Sequence, residues 1–384
     1  MVGRAPVRRV PHAAGMTCTG SPGDPTVADQ PPFDFTDPVA CLTNLPGLLG
    51  HYPSRTFVLM VRREGAPDPG PLLVRELDDA VGALAALGTA APMMAEEGND
   101  CADVLVVHES WPGCVGGRAP DGRELADVLM AGGLHPMNYA GARAIRPGTP
   151  VTLWTGEEIG RIGDPVASWA AVKLHDSGEA IAAGVDEHRG RFAVRDADVD
   201  GRAAAALRKA AGEVRGLRKG VGAIPGGVTG VRRFHEEWER LLADVDEGRV
   251  RLDDAMAEPA HLLVLARPLV SLLLRDMTMT AIGGDHADTV RVIWLRCAQL
   301  FRGTARANAL ACYAIDRFAH GSPATADAAL AAALETDPGH SLTQLLRAAL
   351  MSGGGRTAVE AMLDAAEGVR RAVHGDGEGD CDGD

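Results

Sequence analysis

Lysine is nearly missing from this chain: Lys173, Lys209 and Lys219 are the only three in 384 residues, and arginine carries almost all the positive charge. Long apolar runs are missing too. The longest candidate, His261 to Leu274, is cut by Arg267 and Pro268 and ends at Arg275 and Asp276. It falls short of the ~20 apolar residues a membrane helix needs and reads as a buried core helix. Cysteine is present seven times, an odd number, widely scattered and never as C-x-x-C. That excludes a disulfide framework and a zinc knuckle, and leaves Cys297 and Cys312 as small core hydrophobes on helices. Arg4, Arg8 and Arg9 are followed by no apolar stretch, so no secretory leader is expected and the chain is placed in the cytoplasm. The formal net charge of -14 argues against nucleic acid and membrane surfaces, both polyanionic, as partners. Catalytic signatures are missing as well: there is no G-x-S-x-G elbow, no H-E-x-x-H and no kinase set. Neither a cofactor nor a metal is expected.

What is present divides the chain in two. Residues 1–34 are rich in Pro, Gly and Arg without hydrophobic period and predict a disordered arm. From Asp37 a helix is predicted over Pro38–Leu49, stopped by Gly50. A strand follows at Thr56–Val61, a Pro/Gly turn at 65–70 and a returning strand at Leu72–Leu77. Asp78 and Asp79 open a helix whose stripe is Val81, Leu84, Ala85 and Leu87. Ala102–Val107 is the clearest strand, apolar throughout apart from Asp103 and therefore buried on both faces. A helix at about 121–131 and a strand at Pro150–Trp154 continue the alternation, which implies an α/β domain over 35–215. A Gly-rich linker is placed at 216–230, and beyond it the pattern is helical over 231–373. Pro259 and Pro268 split the long stretch 253–282. Residues 374–384, after which only Gly, Asp, Glu and one Cys follow His374, predict an acidic disordered tail.

Four constellations carry chemistry. Ala307–His340 has the 34-residue length of one tetratricopeptide hairpin, with Ala314, Ala326, Ala333 and Pro338 at its small-residue and proline positions. Arg317 stands where that pattern wants an aromatic. Ser341 is expected to cap the next helix. Asp196, Asp198, Asp200 and Gly201 copy half a calcium loop, but Leu207 stands where the bidentate Glu belongs, so the cluster reads as an N-cap. Gly113–Arg118 follows the best strand, where α/β folds place phosphates, yet it matches no phosphate-binding signature and has no Lys at hand. His108 and Glu109 end that strand. With Arg118 they are the candidate ligand-binding residues.

Three stretches resemble a known family. Leu45–Val61 (LPGLLGHYPSRTFVLMV), the strand Val104–Val107 with the helix after it, and Trp294–Leu346, closing on DPGHSLTQLL, resemble the actinobacterial family called domain of unknown function 4192. The resemblance spans about residues 37–351 and implies fold and localisation, with no activity or catalytic residue to carry over. The expected architecture is an α/β N-terminal layer, a small mixed sheet with helices, followed by an all-α, tetratricopeptide-like helical C-terminal domain. Two functions are expected of it. The first is a non-catalytic binding or adaptor protein that meets a protein partner through its helical half. The second is an enzyme or small-ligand sensor with a pocket at the strand C-termini, near His108, Glu109 and Arg118.

Overall fold

The computed structural model describes residues 7–9, 34–64, 71–77, 80–96, 98–112, 121–176, 178–195, 201–218, 227–351 and 355–375. The chain forms two compact units. The first is Met1–Gly190 with Gly321–Thr325 and Leu350–Gly353; the second is Arg191–His320, Ala326–Ala349 and Gly354–Asp384. The division falls at Gly190, upstream of the Gly-rich stretch 216–230. A helix over Arg202–Arg218 packs on the helix Pro259–Leu269 and so belongs with the helical half.

In the first unit the order is β1 (Val7–Arg9), α1 (Pro38–Leu49), β2 (Thr56–Arg62), β3 (Pro71–Glu76), α2 (Ala80–Glu96), β4 (Cys101–Val107), α3 (Gly122–Ala131), β5 (His135–Ala142), β6 (Pro150–Leu153), β7 (Glu158–Arg161), α4 (Trp169–Asp176) and α5 (Val185–Gly190). The mixed sheet runs β1-β3-β2-β4-β5-β6-β7. Its pairs are antiparallel except β4 with β5, which α3 connects as a parallel crossover. The arm expected to be disordered supplies β1, with Val7 opposite Leu73, and so covers an edge that would otherwise leave N–H and C=O groups unpaired.

Every residue of β2 and β4 is buried. Because side chains alternate across a strand, Phe57, Leu59, Val61, Val104 and Val106 pack with α2 and α3, while Val58, Met60, Leu105 and Val107 pack with α1. Each such buried side chain contributes about 1.5–3 kcal/mol. That two-sided demand for apolar residues is why β4 is legible as a continuous run. One acid interrupts it: Asp103 accepts from Arg62 Nε at 3.3 Å and from Asn138 Nδ2 at 2.6 Å. Helix α1 begins on Asp37, whose carboxylate accepts the Val39 N–H at 2.8 Å, and ends on Gly50 at φ +73. A Cβ at Gly50 would lie 2.8 Å from His188 Cε1, so both conformation and space demand glycine there. Of the stripe expected on α2, Leu87 is buried and Leu84 packs against the same cluster, while Val81 is 78% exposed and Ala85 is exposed; Ala83, Ala90, Ala91 and Met94 complete the buried face. Asp78 and Asp79, expected to open this helix, lie outside the described residues, and Pro92 lies beside Gly132 at the α3 terminus.

The second unit is helical: α6 (Arg202–Arg218), α7 (Gly227–Asp246), α8 (Leu252–Ala255), α9 (Pro259–Leu269), α10 (Leu272–Thr278), a 3-10 turn (Met279–Gly283), α11 (Ala287–Leu300), α12 (Gly303–Ala319), α13 (Pro323–Thr336), α14 (Ser341–Met351) and α15 (Gly355–His374). Pro259 starts α9 and Pro268 lies in its last turn, so the prolines divide the long helical stretch as expected. Helix α12 is the centre. Ala305 and every residue from Ala307 to Arg317 are buried, as a helix enclosed on all sides requires. Its neighbours include α11, α9 and α15. At the start of α12 Thr304 Oγ1 donates to Asp337 Oδ2 at 2.9 Å and Arg306 donates to Thr336 Oγ1, at the end of α13. Ala314, Ala326 and Ala333, the small residues of the expected hairpin, are buried. Trp294 of α11 stacks on Trp238 of α7 with centroids 5.3 Å apart, both rings fully enclosed. Among the described residues no helix is long and apolar enough to cross a membrane.

Candidate functional site

The strand end that carries His108 is closed by its own turn. The His108 N–H donates to Ala142 O at 3.1 Å, extending the β4–β5 pairing by one residue. Nδ1 of the buried ring lies 3.1 Å from Ser110 N and 2.7 Å from Ser110 Oγ, and accepts from the former. The Trp111 N–H returns to His108 O at 2.9 Å. The Trp111 indole lies over Gly141, where a Cβ would sit 2.4 Å from Val106 O and 2.8 Å from Trp111 Cε2. Its Nε1 donates to Thr152 O at 3.2 Å, and Arg143 Nε donates to Trp111 O at 2.8 Å. The Trp111 and Tyr139 rings meet edge to face with centroids 5.2 Å apart, in the core beside the parallel strands. Glu109 is exposed while its neighbour His108 is buried. Arg118, with the rest of the Gly113–Arg118 loop, lies outside the described residues.

A different constellation forms in the helical unit. Arg195, Arg202, Asp253, Arg296 and Gln299 line a cleft of about 190 Å³ together with Ala203, Met256, Ala257, Leu262 and Leu300. Each element places one part. The segment before α6 is pinned to α11, as the Arg195 N–H donates to Gln299 O at 3.0 Å and Gln299 Nε2 donates to Arg191 O at 2.8 Å. Arg202, the first residue of α6, donates to Ala257 O at 3.0 Å. Arg296 donates to Gln299 Oε1 at 3.4 Å and pairs with Asp253. Arg195 and Arg202 are exposed. The lining therefore carries three guanidinium groups and one carboxylate. Each guanidinium offers planar, paired N–H donors that match a carboxylate or phosphate. The Asp196–Asp200 cluster separates Arg195 from Arg202 in sequence and lies outside the described residues. Among the described residues no three His, Cys, Asp or Glu side chains gather as metal ligands.

The family model described as Domain of unknown function (DUF4192) matches residues 38–354. The chain belongs to this family. No curated protein and no solved structure matches it.

The DUF4192 span holds both the strand-end turn and the cleft. It also takes in the DPGHSLTQLL stretch, where the structure corrects the expected cap. Ser341 is the first helical residue of α14, and His340 occupies the cap position. Nδ1 of His340 lies 3.4 Å from the Thr343 N–H and 2.7 Å from Thr343 Oγ1, and Nε2 lies 3.1 Å from Asn308 Oδ1. Asn308 Nδ2 donates to Leu269 O at 3.0 Å, and Arg275 Nη1 donates to Asn308 Oδ1 at 3.2 Å. The buried ring outcompetes the exposed Ser341 hydroxyl because it satisfies two helices at once. Burial, more than the positive charge of Arg275, pushes its pKa down, against the pull of Asp337. A second buried network centres on Asp316, which binds Arg291, Arg317 and His320. Both networks are enclosed and join helices; the cleft is the open one.

Proposed function

We propose that this DUF4192 protein is a non-catalytic, cytoplasmic binding protein whose ligand is a small anion received by the arginine cleft of the helical unit. The observation that carries the reading is the charge balance of the lining: Arg195, Arg202 and Arg296 with Asp253, among apolar residues. Guanidinium groups that converge on a concavity repel one another, and a bound anion relieves that repulsion. The non-catalytic part rests on the missing catalytic motifs and on His108, whose Nδ1 is taken up with the turn at Ser110.

The test is a thermal melt of the full chain with increasing inorganic phosphate or acetate at constant ionic strength. A ligand that binds the native state stabilises it by RT ln(1 + [L]/Kd) and so raises the midpoint. One of the two anions should raise it in the wild type and do so at least tenfold more weakly in Arg195→Ala and Arg296→Ala. No shift with either anion, or equal shifts in all three proteins, refutes the reading. A second reading, docking of a partner protein by the helical unit, is favoured by the exposed Leu272 and Leu345. Leu272→Asp with Leu345→Asp should then abolish a complex that the cleft variants leave intact.

A further inference from the structure

We infer that the ligand of this cleft is a zwitterion, an α-amino acid with an apolar side chain; this rests on the anion-binding reading above and sharpens it. The starting point is Asp253. It stands on the first turn of α8, lines the cleft and is paired with Arg296. A site built for a bare anion gains nothing from a carboxylate there: Asp253 repels the ligand and occupies one of the three donors meant for it. The same residue is useful if the ligand brings its own cation. The carboxylate of an amino acid then meets Arg195 and Arg202, the two exposed arginines. Its ammonium meets Asp253, which is 71% exposed at its side chain and can be shared with Arg296.

Size and lining agree. About 190 Å³ has room for roughly six water molecules, at ~30 Å³ each. That is below the ~300 Å³ at which pockets for drug-sized ligands begin. The cleft suits a small molecule of amino-acid size. Met256, Leu262 and Leu300 supply an apolar wall for a branched or thioether side chain, and Met adapts its shape to either.

Titration calorimetry of the full chain separates the parts. The probes are L-leucine, its des-amino analogue 4-methylpentanoate, its decarboxylated analogue 3-methylbutylamine, and inorganic phosphate. Leucine should bind at least tenfold more tightly than either truncated analogue. Asp253→Asn should erase that gap, weakening leucine and strengthening 4-methylpentanoate as Arg296 is released. Arg195→Ala should weaken leucine and 4-methylpentanoate together. Asp253 is exposed at the surface, so its substitution leaves folding intact. Phosphate or 4-methylpentanoate binding as tightly as leucine, or a gap that persists in Asp253→Asn, overturns the zwitterion inference and leaves the anion reading standing. Binding of none of the carboxylate or phosphate probes sinks both.

Discussion

Replacing Asp316 by Asn takes one negative charge from a place water does not reach. Asp316 and Arg317 are both 0% exposed at their side chains. Oδ2 of Asp316 accepts from Arg291 Nε and from Arg317 Nε, each at 2.9 Å, and Oδ1 lies 3.3 Å from His320 Nδ1. Burial alone would raise the Asp316 pKa. The hydrogen bond from His320 and the charges of Arg317 and Arg291 more than offset it and hold it below the ordinary value. The carboxylate is therefore ionised in the folded protein, and Asp316→Asn takes its charge away from Arg317 and from Arg291, which keeps its pair with Asp288 at 2.9 Å. Removing one partner of a buried ion pair costs about 3–5 kcal/mol, a large share of the 5–15 kcal/mol that keeps a domain folded. At roughly 2–4 °C per kcal/mol for a unit of this size, the helical transition should fall by about 6–20 °C. Urea unfolding of the full chain, followed by tryptophan fluorescence, measures it; Trp238 and Trp294 report this unit. The midpoint should drop with an unchanged slope. Adding Arg317→Met to the Asp316→Asn variant should recover part of the loss. The pH dependence has two signs. The Asp316 contribution is full above about pH 3.8 and is lost as pH falls through the lowered folded value. His320 is raised, chiefly by its hydrogen bond to Asp316, so its contribution is full below pH 6.5 and fades as pH rises through the folded value. Asp316→Asn should remove the latter slope. A loss under about 1 kcal/mol at unchanged slope refutes the argument, because a buried pair cannot be broken at so small a cost.

Three further outcomes follow from the same reasoning. His235 is lowered to about 4 by burial and by its neighbours His374 and Arg370, with His374 Nε2 3.1 Å from its Nδ1; stability should therefore fall as pH drops from 6.5 toward 4, and urea midpoints for His235→Gln should be flatter over that window. Gly141→Ala would push a methyl to 2.4 Å from Val106 O, costing about 1–3 kcal/mol or more; a melting point within about 2 °C of wild type, on the order of 1 kcal/mol, would show that the strands part readily. Ala326, fully enclosed, should resist Leu by a similar ~1–3 kcal/mol, whereas Leu345→Ala, at a side chain 60% exposed, should melt within a degree or two; equal melts would mean that α13 is loosely held.

The sequence exposes the parts whose local pattern agrees with their burial. Asp37, Pro38 and Gly50 bracket α1 because capping chemistry is local. β4 reads as a strand because both its faces are covered. β5 is not legible: His135–Asn138 is exposed or half-buried and only Tyr139–Ala142 is enclosed, with Pro136 and Gly141 in between, so neither alternation nor an apolar run appears. α12 reads like the first half of a repeat because its alanines permit close packing. α11, α9 and α15 pack against it, and Thr304 and Arg306 at its start bond to Asp337 and Thr336 at the end of α13. Of the candidate residues, His108 does stand at a strand end, but its engagement by Ser110 is a property of the turn. The cleft arginines have no signature at all, since distant parts of the chain bring Arg195, Arg202 and Arg296 together and no spacing marks them.

The first unit does not end where its sheet ends. Glu179 is hydrogen-bonded to Ser322 Oγ at 2.9 Å and to Thr325 Oγ1 at 2.5 Å, residues that arrive after α12 and are grouped with the sheet. A recombination event that cut the gene near codon 190 would separate this carboxylate from the hydroxyls that satisfy it, and neither daughter would inherit a finished unit. Glu179, Ser322 and Thr325 all lie within the residues that the family model matches, 38–354.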